Sequence, residues 1–291
     1  MKMNKQDVLL QSIRSAYPDL WIASVEYNGD GQNNDVLVVN GEFIFRFPKY
    51  AGALKRLKLE TAILTGISGH VSLPVPAPAF VNIEGQAVGE AFMGYRKLAG
   101  EPLWRETFRA IDDDGTLERL ASQLGGFLKE LHSIPAASIG CELPVLDTDI
   151  KCADLYARIR EKLFQYMRPD AREWTEHHFE TFLNSERQFD PVLKHGDFGT
   201  SNILFDRGRR TICGVIDFGS SGLGDPAYDL AGLLSSYGEA FVRRCWKVYP
   251  AIESCMDRVR FYQGTFALEE AVFGIENGDQ AAFESGIEKY R

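Results

Sequence analysis

The sequence predicts an α+β fold in two lobes, a small antiparallel β lobe with one helix over residues 1–95 and a larger, mainly helical lobe over residues 96–291. Three observations carry this. Strand-like runs crowd the first third, helical periodicity dominates the rest, and one short glycine-rich hairpin interrupts the helices late in the chain.

In the first lobe, SVEYNGD, DVLVVN and EFIFRFP are β-branched or aromatic runs, punctuated at Asn28–Gly31 and at Asn40–Gly41 by residues that favour tight turns. GALKRLKLETAILTGI then places Leu54, Leu57, Ala62 and Leu64 on a mostly apolar face, which predicts the lobe's helix. LPVPAPAF cannot continue a helix and reads as a connector. EAFMGYRKLAG reads as a strand ending at Gly100.

In the second lobe, GTLERLASQLGGFLKELHSI brings Leu117, Leu120, Leu124, Phe127, Leu128 and Leu131 to helical spacing. CADLYARIREKLFQYM and the segment 170–189 are further amphipathic helices. Ile203–Phe205 and Thr211–Ile216 read as a hairpin, after which helices resume at Tyr228.

Composition narrows the function. A net charge of -9 excludes the global basic footprint expected of a nucleic-acid binder. The excess acid reads either as solubility or as a pocket for a cationic substrate. No run approaches the roughly 18 apolar residues of a membrane span. The start, MKMNKQDVLLQSIRSAYPDL, lacks a secretory leader, so a cytoplasmic setting and a small-molecule partner are expected, with neither membrane nor nucleic acid. The five cysteines are scattered without a CxxC, as reduced structural thiols would be.

The hairpin region carries the chemistry. His195-Gly196-Asp197 is followed five residues later by Asn202, and the apolar run Gly214–Ile216 ends in Asp217-Phe218-Gly219. Each residue alone is an ordinary loop or turn former. Together, Asn202 and Asp217 are oxygen donors of the kind magnesium takes. Asp197 is a candidate base, while His195 reads as a structural residue and Asp225 and Asp229 as braces of the loop.

This order resembles the catalytic loop and magnesium motif of protein kinases. In the His-Gly-Asp form, with Ile-Asp-Phe-Gly and Gly224-Asp225-Pro226-Ala227-Tyr228-Asp229-Leu230, it is similar to the aminoglycoside phosphotransferase family. The resemblance implies a bilobal protein-kinase-like fold. It further implies Mg2+-dependent transfer of the γ-phosphoryl group of ATP or GTP to an aminoglycoside hydroxyl, giving resistance. Asp197 would be the catalytic base and Asn202 and Asp217 the metal ligands. Arg46, standing where the family usually has lysine, would grip phosphates and be oriented by Glu60. Gly29 and Gly31 would lie over the phosphates, and Tyr95 and Lys97 would form the purine-reading hinge, Tyr95 resembling members that favour GTP.

FLKELHSI, MGYRKLAG and EFIFRFPK resemble the branch acting on the 2″-hydroxyl. The acceptor would be held by Asp197, Ser236, Glu239 and Glu270. Ser235 and Ser236 stand where that branch has carboxylates, and Glu269, Glu270 and Glu276 either supply the missing charge or form a solvated face. Trp246 and Phe273 would suit a more apolar cleft. A kinase of a macrolide or metabolite, or a non-catalytic nucleotide-binding pseudokinase, are the alternatives.

Overall fold

The computed structural model describes residues 4–145 and 148–291. The chain opens with α1 (Lys5–Ala16), a second helix where one was expected in the first lobe. Asn4 caps it by accepting the Asp7 amide at 2.8 Å, and Leu9 and Ile13 share a buried face. Only these two positions of its twelve are buried, so the apolar stripe is too thin to stand out in the sequence.

The strands follow: β1 (Val25–Asn28), β2 (Asn34–Val39), β3 (Phe43–Pro48), then α2 (Ala51–Ile67), β4 (Pro78–Asn82) and β5 (Phe92–Arg96). They form one antiparallel sheet in the order β1-β2-β3-β5-β4. β4 begins inside the proline-rich connector. As an edge strand it loses little to a proline at its first position. β5 stops at Arg96, four residues before the expected end, because Lys97 turns to donate its amide to Glu42 at 2.7 Å. Leu9, Ile13, Leu37, Val39, Phe45, Phe47 and Phe92 form an apolar cluster between α1 and the sheet.

The second half runs β6 (Glu101–Pro102), α3 (Arg105–Arg109), α4 (Asp114–His132), α5 (Thr148–Lys162) and α6 (Pro169–Asn184). It continues through β7 (Val192–Lys194), β8 (Ile203–Asp206), β9 (Thr211–Val215) and β10 (Gly222–Gly224) to α7 (Ala227–Tyr237), α8 (Glu239–Cys245), α9 (Met256–Asn277) and α10 (Gln280–Ile287). The β8–β9 hairpin is extended by β6, and β7 pairs separately with β10. α4 is the central helix. Its Leu120, Leu124, Phe127, Leu128 and Leu131 are buried, and Phe127 stacks on Phe198 with ring centroids 5.6 Å apart. That stacking fixes the loop leaving β7 against the core. No helix among the described residues is long and apolar enough to cross a membrane.

Candidate active site

A cavity of about 820 Å³ lies between the sheet and the β8–β9 hairpin. Arg46, Glu60, Tyr95 and Lys97 line it from the first half, and Asp197, Asn202 and Asp217 from the second.

The register of the sheet explains the first group. Arg46 is central on β3, opposite Val36 on β2 and Met93 on β5. α2 follows β3 at once and carries Glu60 back over the sheet. Arg46 Nη1 donates to Glu60 Oε1, and Arg46 Nη2 stands 3.3 Å from Asp217 Oδ1. Burial works against the Arg46 charge, but Glu60 and Asp217 outweigh it and hold its pKa above the ordinary arginine value. The planar fork lets one side chain bridge two carboxylates, which a lysine does less well. Tyr95 is buried, and burial pushes its phenol up to about 12, so it stays protonated.

The 195–202 loop is built from backbone hydrogen bonds to buried side chains. Asp229, at 0% exposure, accepts the amides of His195 at 2.7 Å and Gly196 at 2.8 Å. Gly196 adopts φ 84, and a Cβ there would stand 2.2 Å from the Ser220 carbonyl oxygen, so only glycine fits. His195 is fully buried, and burial lowers its pKa. Its Nδ1 accepts the Asp197 amide at 3.2 Å, so Nε2 carries the proton and donates to the Ile216 carbonyl at 3.0 Å. The neutral imidazole thus splices this loop to the strand before Asp217, in the structural role expected of it. Asp229 acts as the expected brace. Asp225, just before α7, accepts the Ala227 amide at 2.9 Å and is tied to α9 by Arg258 at 2.8 Å.

Asn202 Nδ2 donates to the Asp197 carbonyl oxygen and to Asp197 Oδ2, both at 2.9 Å. This orients the asparagine, and among the described residues its Oδ1 has no hydrogen-bond partner. Burial pushes the Asp197 carboxyl up, against the pull of His195 and Asn202. Asp217 adopts φ 65, a left-handed conformation unusual outside glycine. Its side chain is 49% exposed, against 2% for Glu60. Two oxygens, Asn202 Oδ1 and Asp217 Oδ2, therefore remain for a hard cation, and the donor set fits magnesium.

Gly31 lines this cavity and Gly29 does not. Both are held through their carbonyls by Lys49 Nζ, which reaches Gly29 O at 2.6 Å. Lys49 has left the sheet and clamps the β1–β2 loop.

The expected acceptor residues are only partly brought together. Ser236 Oγ lies 3.7 Å from where a Cβ on Gly199 would sit, close to the loop. Glu239 is drawn away, paired with Arg243 at 2.6 Å and Arg260 at 3.2 Å. Glu270 is exposed and lines neither this cavity nor the one on the other side of the loop. One helical step of about 100° separates it from Glu269, which does line that second cavity. Glu276 is spent on Arg158 and Lys162, each at 2.5 Å. Trp246 and Phe273 line neither cavity. The sequence reading named Glu269 as a possible source of charge but missed Lys194 and Tyr228 as its neighbours; the three come from α9, β7 and α7.

Comparison with known proteins bears on the family and the fold. A family model described as "Phosphotransferase enzyme family" matches residues 24–262. Viomycin phosphotransferase of Streptomyces vinaceus is 26% identical over 269 residues, spanning 90% of this chain and 91% of that protein. An aminoglycoside 3'-phosphotransferase of Escherichia coli is 29% identical over 153 residues, 50% of this chain and 54% of its own length. Among solved structures, the GDP and kanamycin complex of APH(2″)-IIIa superposes with a TM-score of 0.88 at 28% identity, covering 97% of this chain and 96% of that one. The kinase-like fold, with a small antiparallel sheet over a helical half, is therefore common to both. With most of its length inside the matched model, the chain belongs to the phosphotransferase enzyme family.

Proposed function

We propose that this protein transfers the γ-phosphoryl group of magnesium-bound ATP or GTP to a hydroxyl of an aminoglycoside antibiotic, and so confers resistance. The observation that carries the proposal is the convergence of Arg46, Glu60, Asp197, Asn202 and Asp217 on one cleft. Likeness to a kanamycin-bound 2″-phosphotransferase supports the acceptor class. The division of the chain falls at residues 95–96 in this reading, supported by an apolar cluster drawn wholly from earlier residues.

Asp197 is the base: it orients the acceptor hydroxyl and takes its proton as the oxygen bonds to the γ-phosphorus. Arg46 holds donor phosphate and is itself held by Glu60. Tyr95 and Lys97 border the purine end. Asn202 and Asp217 would hold a magnesium ion, which would offset charge on the phosphates. Turnover coupled to nucleotide consumption, with kanamycin, gentamicin and streptomycin tested against ATP and GTP separately, checks the proposal. No phosphorylation of any aminoglycoside would refute it.

Two further results are expected. Because burial raises the Asp197 pKa, kcat/KM is lost as pH falls through a value above that of an ordinary aspartate. A pH profile on the free enzyme measures that acid limb, and its absence down to pH 4 would contradict the role of Asp197. Replacing Glu60 by Gln weakens the hold on Arg46 and raises nucleotide KM about tenfold, the scale of one charge-assisted hydrogen bond. Steady-state nucleotide titration checks it.

A further inference from the structure

The second cavity, of about 890 Å³, opens beside the 195–202 loop between β7, β10, α5, α7 and α9. Three of its charged residues are already matched. Arg158 pairs with Asp154 at 3.2 Å and with Glu276, and Asp225 is taken by Arg258. Arg56 donates to Asn33 at 3.3 Å and has no ion pair among the described residues. Lys194, Lys151 and Glu269 remain.

Lys194 is 8% exposed, yet its Nζ makes no hydrogen bond or ion pair among the described residues. The ammonium lies 4.5 Å over the Tyr228 ring, which supports it on one side only. Its position is tightly set. A Cβ on Gly196 would stand 3.0 Å from Nζ, and a Cβ on Gly224 would stand 3.0 Å from Cε. The ammonium therefore rests against the backbone of the residue before Asp197 and borders the cavity. Lys151, exposed at the rim on α5, has no carboxylate partner among the described residues.

Glu269 is a weak counter-charge. It accepts from Thr265 Oγ1 at 2.5 Å and from the Tyr228 hydroxyl at 3.4 Å, and burial raises its pKa. Both lysines pull its pKa down, but among the described residues neither comes within ion-pair distance of it. Burial lowers the pKa of Lys194, against the pull of Asp229 and Glu269. A desolvated ammonium without a direct hydrogen bond or ion pair is costly, and a ligand oxyanion would reduce that cost.

We propose that this cavity is an oxyanion subsite, floored by Lys194 and rimmed by Lys151, which gives the enzyme a second acceptor class: hydroxyl compounds bearing a carboxylate or phosphate. The inference rests on the phosphotransferase reading above. The acceptor's hydroxyl oxygen bonds to the γ-phosphorus, and its proton passes to Asp197. The bond from that phosphorus to the β,γ-bridging oxygen breaks, and the nucleoside diphosphate leaves with its electron pair. The acceptor's own oxyanion stays unchanged on Lys194. An aminoglycoside reaching the same floor would bring ammonium towards ammonium.

The test uses the full chain and matched acceptors: gluconate against sorbitol, and glycerol 3-phosphate against glycerol, with kanamycin alongside. The charged member of at least one pair is expected to show kcat/KM at least tenfold above its neutral partner. The pair that responds identifies carboxylate or phosphate. Lys194→Met should raise KM for that acid at least tenfold and abolish the preference. Calorimetric titration of gluconate and glycerol 3-phosphate, with ADP and magnesium saturating the donor cleft, should show the same loss of anion binding. Lys151→Met, at the exposed rim, should show a smaller loss and serves if Lys194→Met does not fold. Equal turnover of charged and neutral partners, or undiminished anion binding in both variants, overturns the inference. If kanamycin is phosphorylated without any anion preference, this inference alone fails. If no compound is phosphorylated, the phosphotransferase reading fails with it.

Discussion

Replacing Asp197 by Asn is expected to lower kcat by about 10²- to 10⁴-fold, the range attributed to a positioned general base. The substitution keeps the shape of the side chain and can still meet Asn202, whose amide bonds the Asp197 carbonyl as well as its carboxylate. What disappears is the proton acceptor. Nucleotide KM should change little, because Arg46, Glu60 and Asp217 are linked to one another and not to Asp197. Steady-state kinetics separate the two effects. A kcat within tenfold of the wild type would mean that proton removal is carried elsewhere.

The largest expected loss of stability comes from Asp229→Ala. This carboxylate is completely buried and accepts from the His195 and Gly196 amides, while His132 Nε2 stands 3.1 Å away. Removing it strands these groups in the core, at a cost of about 3–5 kcal/mol. For a chain of this length that corresponds to a fall in Tm of about 10 °C. Burial pushes the Asp229 carboxyl up, but the hydrogen bond from His132 and the charge of Lys194 prevail and hold it below the ordinary value. A depressed folded-state pKa contributes stability above the unfolded value that is lost as pH falls through the folded one. Wild-type stability should therefore decline below about pH 5, and the variant should lack this part of the decline. Thermal melts between neutral and acid pH measure both. A variant within a few degrees of the wild type at pH 7 would show that the loop is held by something else.

The part of the site that was legible in the sequence is the part that local chain geometry creates. Asp197, Asn202 and Asp217 belong to one loop and hairpin, so their spacing already limits how far apart they can lie. Arg46 and Glu60 are joined by a strand running directly into a helix, and the register of such a unit is readable. The acceptor side was less legible because it is assembled from distant segments. Lys194 and Glu269 come from β7 and α9, and nothing local to either announces the other. The sequence offered Glu269 and Glu270 alike, and only Glu269 lines the cavity. α9 has buried residues from Met256 to Gly274, on several faces, so its periodicity does not single out one side. Glu239 was placed by a resemblance that ignores its neighbours. Arg243, one turn on, and Arg260, on α9, neutralise it.

The arginine on β3 has a bearing on alkaline tolerance. A lysine there would lose its proton near pH 10 and release whatever it grips, whereas a guanidinium between two carboxylates stays charged throughout the range in which the protein is folded. Donor capture should thus persist into alkaline media where a lysine-based homologue would falter. The descending limb of its activity profile would then report the acceptor's amines, or the unfolding of the chain, in place of the β3 cation.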